Sequence, residues 1–80
     1  MPTLIVTTGY RFYFFSHEPG EPPHIHVEGS GHSAKFWLGE VICARNYGFS
    51  PVELRKIERI IRVYRNDFLR KWNEFFNRRR

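Results

Sequence analysis

Two histidines and a glutamate alternate along one short apolar segment, in a pattern that could transfer protons. The segment runs His24-Ile25-His26-Val27-Glu28. Side chains at every second position of a strand share a face, so the spacing predicts that His24, His26 and Glu28 point one way while Ile25 and Val27 enter the core. Imidazole and carboxylate groups act as general acids and bases, so these three are candidate catalytic residues. The alternative is that they are polar strand residues hydrogen-bonded to their neighbours.

A metal site is the weaker interpretation of the same segment. His17 and His32 fall in predicted loops, but the chain lacks the further spaced ligands of a structural zinc site. We therefore assign no metal and no cofactor. Cys43 lies in an apolar stretch, and we expect it to be a small buried residue rather than a nucleophile.

A second candidate surface consists of basic residues near the C-terminus. Arg55, Arg59, Arg62 and Arg70 fall on one arc of a predicted helix that carries no acidic residue. Together with Lys35, they are predicted to bind the phosphates of a nucleic acid or an acidic partner. The alternative is an ordinary solvated helix face with pairs four residues apart, namely Glu58–Arg62, Asp67–Lys71 and Glu74–Arg78.

The charge and composition support a small binding protein. The net charge is +5, yet the first fifty residues carry three basic and four acidic residues, and the last thirty carry ten basic and four acidic. Aromatic residues make up 18% of the chain. They exceed what one buried sheet face requires, so some are predicted to mark a partner surface.

The length of 80 residues predicts a single domain over 1–80, and 41% hydrophobic residues exclude a disordered chain. One cysteine excludes an internal disulfide framework. The chain shows neither a signal peptide nor an apolar run of membrane-spanning length. We therefore expect a cytoplasmic protein that does not enter a membrane.

The hydrophobic pattern predicts an α+β fold, an antiparallel four- to five-stranded meander sheet packed against one long C-terminal helix. Ser50, Pro51 and Glu53 form a helix-start signature with a capping box. A helix of about 26 residues is ~39 Å long, so it should overhang its sheet, bend or meet a partner. The predicted strands are 4–7, 10–15, 24–28, 33–38 and 41–44, and the predicted helix runs over about 51–77.

Four motifs in order resemble a known bacterial family, the domain-of-unknown-function family 4160. They are Glu21-Pro22-Pro23-His24-Ile25-His26-Val27, Ala34-Lys35-Phe36-Trp37-Leu38, Gly48-Phe49-Ser50 with Glu53-Leu54, and Trp72-Asn73-Glu74-Phe75-Phe76. The resemblance implies no established activity. It implies a partner encoded beside the domain, in an arrangement similar to a toxin–antitoxin pair.

The leading functional prediction is therefore a small basic binding protein, the toxin-like or regulatory component of a bacterial two-component module. It is expected to bind a partner protein, and nucleic acid is a further candidate ligand. The first alternative is a small phosphodiesterase or nuclease that uses His24 and His26 with Glu28 or Lys35 close by. The second is a homodimeric structural adaptor without chemistry.

Overall fold

Five strands and one helix follow one another in the part of the chain that the structure describes. The computed structural model describes residues 3–7, 9–14 and 20–77, with residues 3–7 and 77 described by their backbone alone. The five strands form one antiparallel sheet in the order β1-β2-β3-β4-β5. The elements are β1 (Thr3–Thr7), β2 (Tyr10–Tyr13), β3 (His24–Gly29), β4 (His32–Trp37), β5 (Ile42–Tyr47) and α1 (Pro51–Asn77).

A two-residue turn at Ser30 and Gly31 sets the register of the central hairpin. Both residues have positive φ, 52° and 80°, as a type I′ turn requires. The turn pairs Gly29 with His32 and, further along, His26 with Lys35. The gap between the predicted strands 24–28 and 33–38 is thus a tight turn, and it determines which side chains of β3 and β4 lie side by side.

The core lies between one face of the sheet and the apolar stripe of the helix. Alternate residues of β2, β3 and β4 enter it, and each fully buried aliphatic or aromatic side chain contributes about 1.5–3 kcal/mol. From the sheet come Phe12, Ile25, Val27, Ala34 and Phe36, and from the helix Ile57, Ile61, Phe68 and Trp72.

The helix begins as its sequence predicts. The Ser50 hydroxyl accepts a hydrogen bond from the amide of Glu53 at 3.2 Å. The Glu53 carboxylate instead accepts one from the hydroxyl of Tyr10, at 3.4 Å, and so joins the first helical turn to β2. The predicted cap is therefore present, and the glutamate of the capping box binds the sheet.

The helix runs the full length of the molecule. Its 27 residues make a rod of about 40 Å, and the molecule measures 39 × 22 × 20 Å. A six-residue strand is only about 20 Å long, so the helix extends past the sheet. Near its C-terminal end Phe14 packs against an aromatic cluster at ring distances of 5.2–5.7 Å, formed by Trp72, Phe75 and Phe76.

The predicted fold class and helix bounds are confirmed, and several strand ends differ by one to three residues. β2 ends at Tyr13 rather than continuing toward residue 15, and β5 reaches Tyr47, three residues beyond its predicted end. No helix in the part of the chain that the structure describes is both long and apolar enough to cross a membrane. Three predictions lie outside the described residues: the loop position of His17, the end of the second strand at residue 15 and the pairing of Glu74 with Arg78.

Candidate functional site

A row of four polar or aromatic side chains crosses the sheet on the face that does not pack against the helix. Tyr13 of β2 pairs with His26 of β3, His26 with Lys35 of β4, and Lys35 with Arg45 of β5. These four residues line a groove of about 350 Å³. We call it the outer groove; its remaining lining residues are Glu21, Ser33, Ala34 and Tyr47.

Tyr13 and His26 form one end of the row. Their rings stack at 5.5 Å with an angle of 17°, and the guanidinium of Arg11 lies 4.8 Å from the tyrosine ring. Burial, and then the carboxylate of Glu28, raise the pKa of Tyr13. The phenol therefore keeps its proton at neutral pH and supports His26 from one side.

Lys35 is the central cation of the row. Its side chain is only 11% exposed, and its ammonium group forms an ion pair with Glu21. The same ammonium lies 4.8 Å from the ring centre of Trp37. The aromatic ring and the carboxylate together stabilise a cation that is otherwise removed from water.

Arg45 and Tyr47 form the exposed end of the groove. The Arg45 guanidinium donates a hydrogen bond to the Tyr47 hydroxyl at 3.4 Å, and Tyr47 is 60% exposed. That hydrogen bond raises the pKa of Arg45, and the charge of Glu21 adds to the effect. This end of the groove combines a permanent cation with an open aromatic ring.

The segment before β3 holds Glu21 at the groove. The carbonyl of Pro23 accepts a hydrogen bond from the amide of Leu38 at 3.0 Å, and the carbonyl of Pro22 accepts one from Nδ1 of His24 at 3.0 Å. Because proline also fixes its own φ, the backbone that carries Glu21 is well constrained.

His24 is fully buried, unlike His26. Its ring lies 4.9 Å from Trp72 of the helix, 5.8 Å from Trp37 and 5.1 Å from His26. The prediction that Ile25 and Val27 enter the core is confirmed. However, the predicted grouping of His24 with His26 and Glu28 does not give three accessible side chains, because Trp37 and Trp72 pack against a fully buried His24.

Glu28 pairs with Arg11 and not with either of the two histidines in the contacts that the structure shows. It is exposed and accepts a hydrogen bond from Arg11 at 2.7 Å, in the neighbouring row across the sheet. Within the described residues, no group of three or more histidine, cysteine, aspartate or glutamate side chains could hold a metal ion. Of the three predicted catalytic residues, His26 alone lines the outer groove.

The four helix arginines lie on the exposed side of α1, away from the core. Arg62 pairs with Glu58 at 3.1 Å, as the alternative interpretation predicts, and Arg70 pairs with Asp67 at 3.0 Å. The predicted partner of Asp67, Lys71, is thus replaced by Arg70. Arg55 and Arg59 are also exposed on this surface, whereas Lys35 belongs to the outer groove.

Cys43 is half-buried beside this site. Its thiol donates to the carbonyl of Arg45 at 3.3 Å, and burial raises its pKa. A raised pKa keeps the thiol protonated and weakly nucleophilic. Cys43 is therefore less buried than predicted.

Sequence reasoning missed Glu21, Arg45 and Tyr47 as groove residues. The turn at Ser30 and Gly31 could have placed Lys35 opposite His26, because a two-residue hairpin fixes its register. The pairing of Lys35 with Arg45 depends on an irregularity between β4 and β5, which shifts the register at Lys35/Phe36. No residue pattern in the sequence predicts that register shift.

Comparisons with known proteins place the chain in a family. A family model described as a domain of unknown function (DUF4160) matches residues 9–73. The match covers more than half of the chain and includes every residue of the outer groove. No curated protein and no solved structure matches the chain. The resemblance drawn from the four motifs is thus confirmed, and the chain belongs to the DUF4160 family.

Proposed function

We propose that this domain binds single-stranded nucleic acid in the outer groove. The observation that carries the proposal is the in-register row of Tyr13, His26, Lys35 and Arg45. Four neighbouring strands space such a row over roughly 14 Å. A sheet face with interleaved cations and rings provides partners for both components of a nucleotide, its phosphate and its base.

The cations of the groove suit the phosphate, and its rings suit the base. Lys35 and Arg45 offer ammonium and guanidinium donors, which bind phosphate oxygens with charge-assisted hydrogen bonds. Tyr47 and His26 offer ring faces on which a base can stack. The net charge of +5 favours association with a polyanion in general.

The test is the fluorescence anisotropy of a labelled RNA of about 12 nucleotides, a length within the usual site size of sheet-based binders. Binding should weaken steeply between about 50 and 200 mM salt. Arg45→Ala and Tyr47→Ala should each reduce affinity by about tenfold, because each removes a contact worth about 1–3 kcal/mol. Both side chains are exposed, so the fold should tolerate their loss.

Arg55→Ala and Arg59→Ala are the matched controls. They remove the same charge from the exposed side of α1. If the groove binds the RNA, these variants should lower affinity no more than about twofold through the change in net charge. Equal losses from the groove and helix variants would contradict the assignment to the groove.

Cleavage of the bound strand is a second candidate, supported by the position of His26 directly opposite Lys35. An imidazole can exchange protons near neutral pH, and an ammonium group stabilises charge on a phosphate. The same RNA, incubated with the protein and run on a denaturing gel, should then shorten, and His26→Ala should abolish the products. An intact RNA after prolonged incubation would contradict this activity.

A protein partner is a further candidate, on the exposed side of α1. Val52 and Val63 are 63% and 76% exposed there, beside Arg55 and Arg59. Arginines around exposed valines suit an acidic, amphipathic partner, as expected for one component of a two-component module. Size-exclusion chromatography with the product of the adjacent gene tests it: Val63→Glu should abolish the complex, and Arg45→Ala should not. A dimer of the domain alone would favour the adaptor interpretation.

A further inference from the structure

We infer that Glu21 occupies the phosphate subsite of the outer groove as an internal competitor, so that an incoming phosphate group must displace its carboxylate from Lys35. This inference rests on the proposed function for its biological ligand, a phosphodiester of nucleic acid. The subsite itself is defined by three side chains, Glu21, Lys35 and Arg45, which line the groove together.

The carboxylate lies where an anionic ligand would be bound. It forms the ion pair with Lys35, and its charge also acts on Arg45. The Glu21 side chain is 43% exposed and that of Lys35 is 11% exposed, so the carboxylate is the more accessible member of the ion pair. A ligand phosphate approaching from solvent meets Glu21 before it reaches the buried cation.

The Glu21 carboxylate can separate from Lys35 although the backbone that carries it is constrained. Hydrogen bonds to the carbonyls of Pro22 and Pro23 hold the segment in place. The partly exposed Glu21 carboxylate contacts Lys35 and also lies 3.7 Å from Nδ1 of His24. Displacement requires the Glu21 side chain to rotate away from both Lys35 and His24. The groove without ligand keeps Lys35 neutralised, which stabilises the free protein and lowers its affinity for phosphate.

Glu21→Gln tests the inference, with inorganic phosphate and the RNA of about 12 nucleotides as separate probes. Phosphate binding is followed by NMR at Lys35 and Arg45, and RNA binding by anisotropy. The variant removes the carboxylate charge that competes for Lys35. The affinity for both probes should therefore rise by about fivefold. Glu21→Ala is the second variant, because a glutamine amide oxygen can still accept from Lys35.

Glu28→Gln is the matched control. Glu28 is an exposed carboxylate of β3 that pairs with Arg11. Its affinity gain should not exceed about twofold, the effect of one screened charge. Equal gains from the two variants, or weaker binding by both Glu21 variants, would overturn the inference.

The two probes separate this inference from the proposed function. If Glu21 variants bind phosphate more tightly but no variant binds RNA, the competitor role stands and the nucleic-acid function fails. If RNA binds equally to the wild type and to both Glu21 variants, the function stands and the competitor role is overturned.

Discussion

His24 and His26 lie two residues apart on one strand and meet different environments. His24 is enclosed by Trp37 and Trp72 and donates to a proline carbonyl, whereas His26 lines an open groove. A buried and hydrogen-bonded imidazole contributes to stability, and a groove imidazole is available to a ligand. The H-x-H pattern therefore combines a structural residue with a candidate functional one.

Alanine substitutions of the two histidines should lower the free energy of unfolding by different amounts. His24→Ala removes a fully buried ring and its hydrogen bond, so it should lower the free energy of unfolding by about 2–4 kcal/mol. His26→Ala, at a half-buried position, should cost less than about 1 kcal/mol. Urea unfolding of both variants measures the difference, and similar costs would contradict the distinction.

The raised pKa of Tyr10 predicts that the protein loses stability in alkaline solution. Burial, and then the neighbouring Glu53 carboxylate, raise its pKa above the ordinary value near 10. A group whose pKa is raised by folding stabilises the native state below its unfolded pKa, and that contribution is lost as the pH rises through the folded pKa. The free energy of unfolding should therefore fall above about pH 10.

Tyr10→Phe is the variant that checks this origin. It removes a tyrosine whose pKa is raised by burial, and Tyr13, whose pKa is also raised, remains in the variant. The decline measured by urea unfolding from about pH 9 to about pH 11 should be shallower in the variant. Identical slopes for the two proteins would show that Tyr10 does not cause the decline.

At the scale of elements, the connection from β5 to α1 depends on side chains that act on the backbone. Asn46 donates to the carbonyl of Phe49 at 2.9 Å and accepts from its amide at 3.0 Å. Gly48 has a φ of 112°, and a Cβ there would collide with the ring of His32. The sequence predicted a break here and the helix start after it, but the contact with His32 depends on tertiary structure.

Gly48→Ala should therefore be more damaging than an ordinary glycine substitution. We expect it to lower the free energy of unfolding by about 3 kcal/mol, through backbone strain and the collision with His32. Gly9→Ala is the matched control, because Gly9 also has positive φ but open space around its Cβ, and about 1 kcal/mol is expected. Thermal or urea unfolding measures both, and equal costs would exclude a steric contribution.

Arg65 connects the helix to the turn between β4 and β5 by two hydrogen bonds. Its guanidinium donates to the carbonyls of Leu38 and Gly39, at 2.7 and 3.1 Å. Arg65→Ala should destabilise the protein by about 1–3 kcal/mol, since bonds from a charged donor are lost. Arg62→Ala, which breaks only the exposed pair with Glu58, should cost less than about 0.5 kcal/mol. Similar unfolding curves for the two variants would contradict this role.

Local patterns predicted the elements well and the groove poorly, for a physical reason. Capping at Ser50 and the apolar stripe of the helix are encoded within a few residues, so the helix bounds were predicted correctly. The meeting of Tyr13 with His26 depends on how β2 pairs with β3 across a long connection. Arg45 joins them through the irregular pairing of β4 with β5.

At the scale of the whole molecule, two cationic surfaces face away from the core. One is the outer groove with Lys35 and Arg45, and the other is the exposed side of α1 with Arg55 and Arg59. A net positive charge favours association with a polyanion at either surface, so salt dependence alone does not distinguish the two. The groove differs by its aromatic rings and by its concave shape, which supply contacts beyond charge.

Titration of the isotope-labelled protein with the short RNA, followed by NMR, tests the central claim most directly. The account predicts that the largest chemical-shift changes occur at His26, Lys35, Arg45 and Tyr47, with small changes on the exposed side of α1. Changes confined to Arg55, Arg59 and their helical neighbours, or no changes at all at low salt, would contradict it.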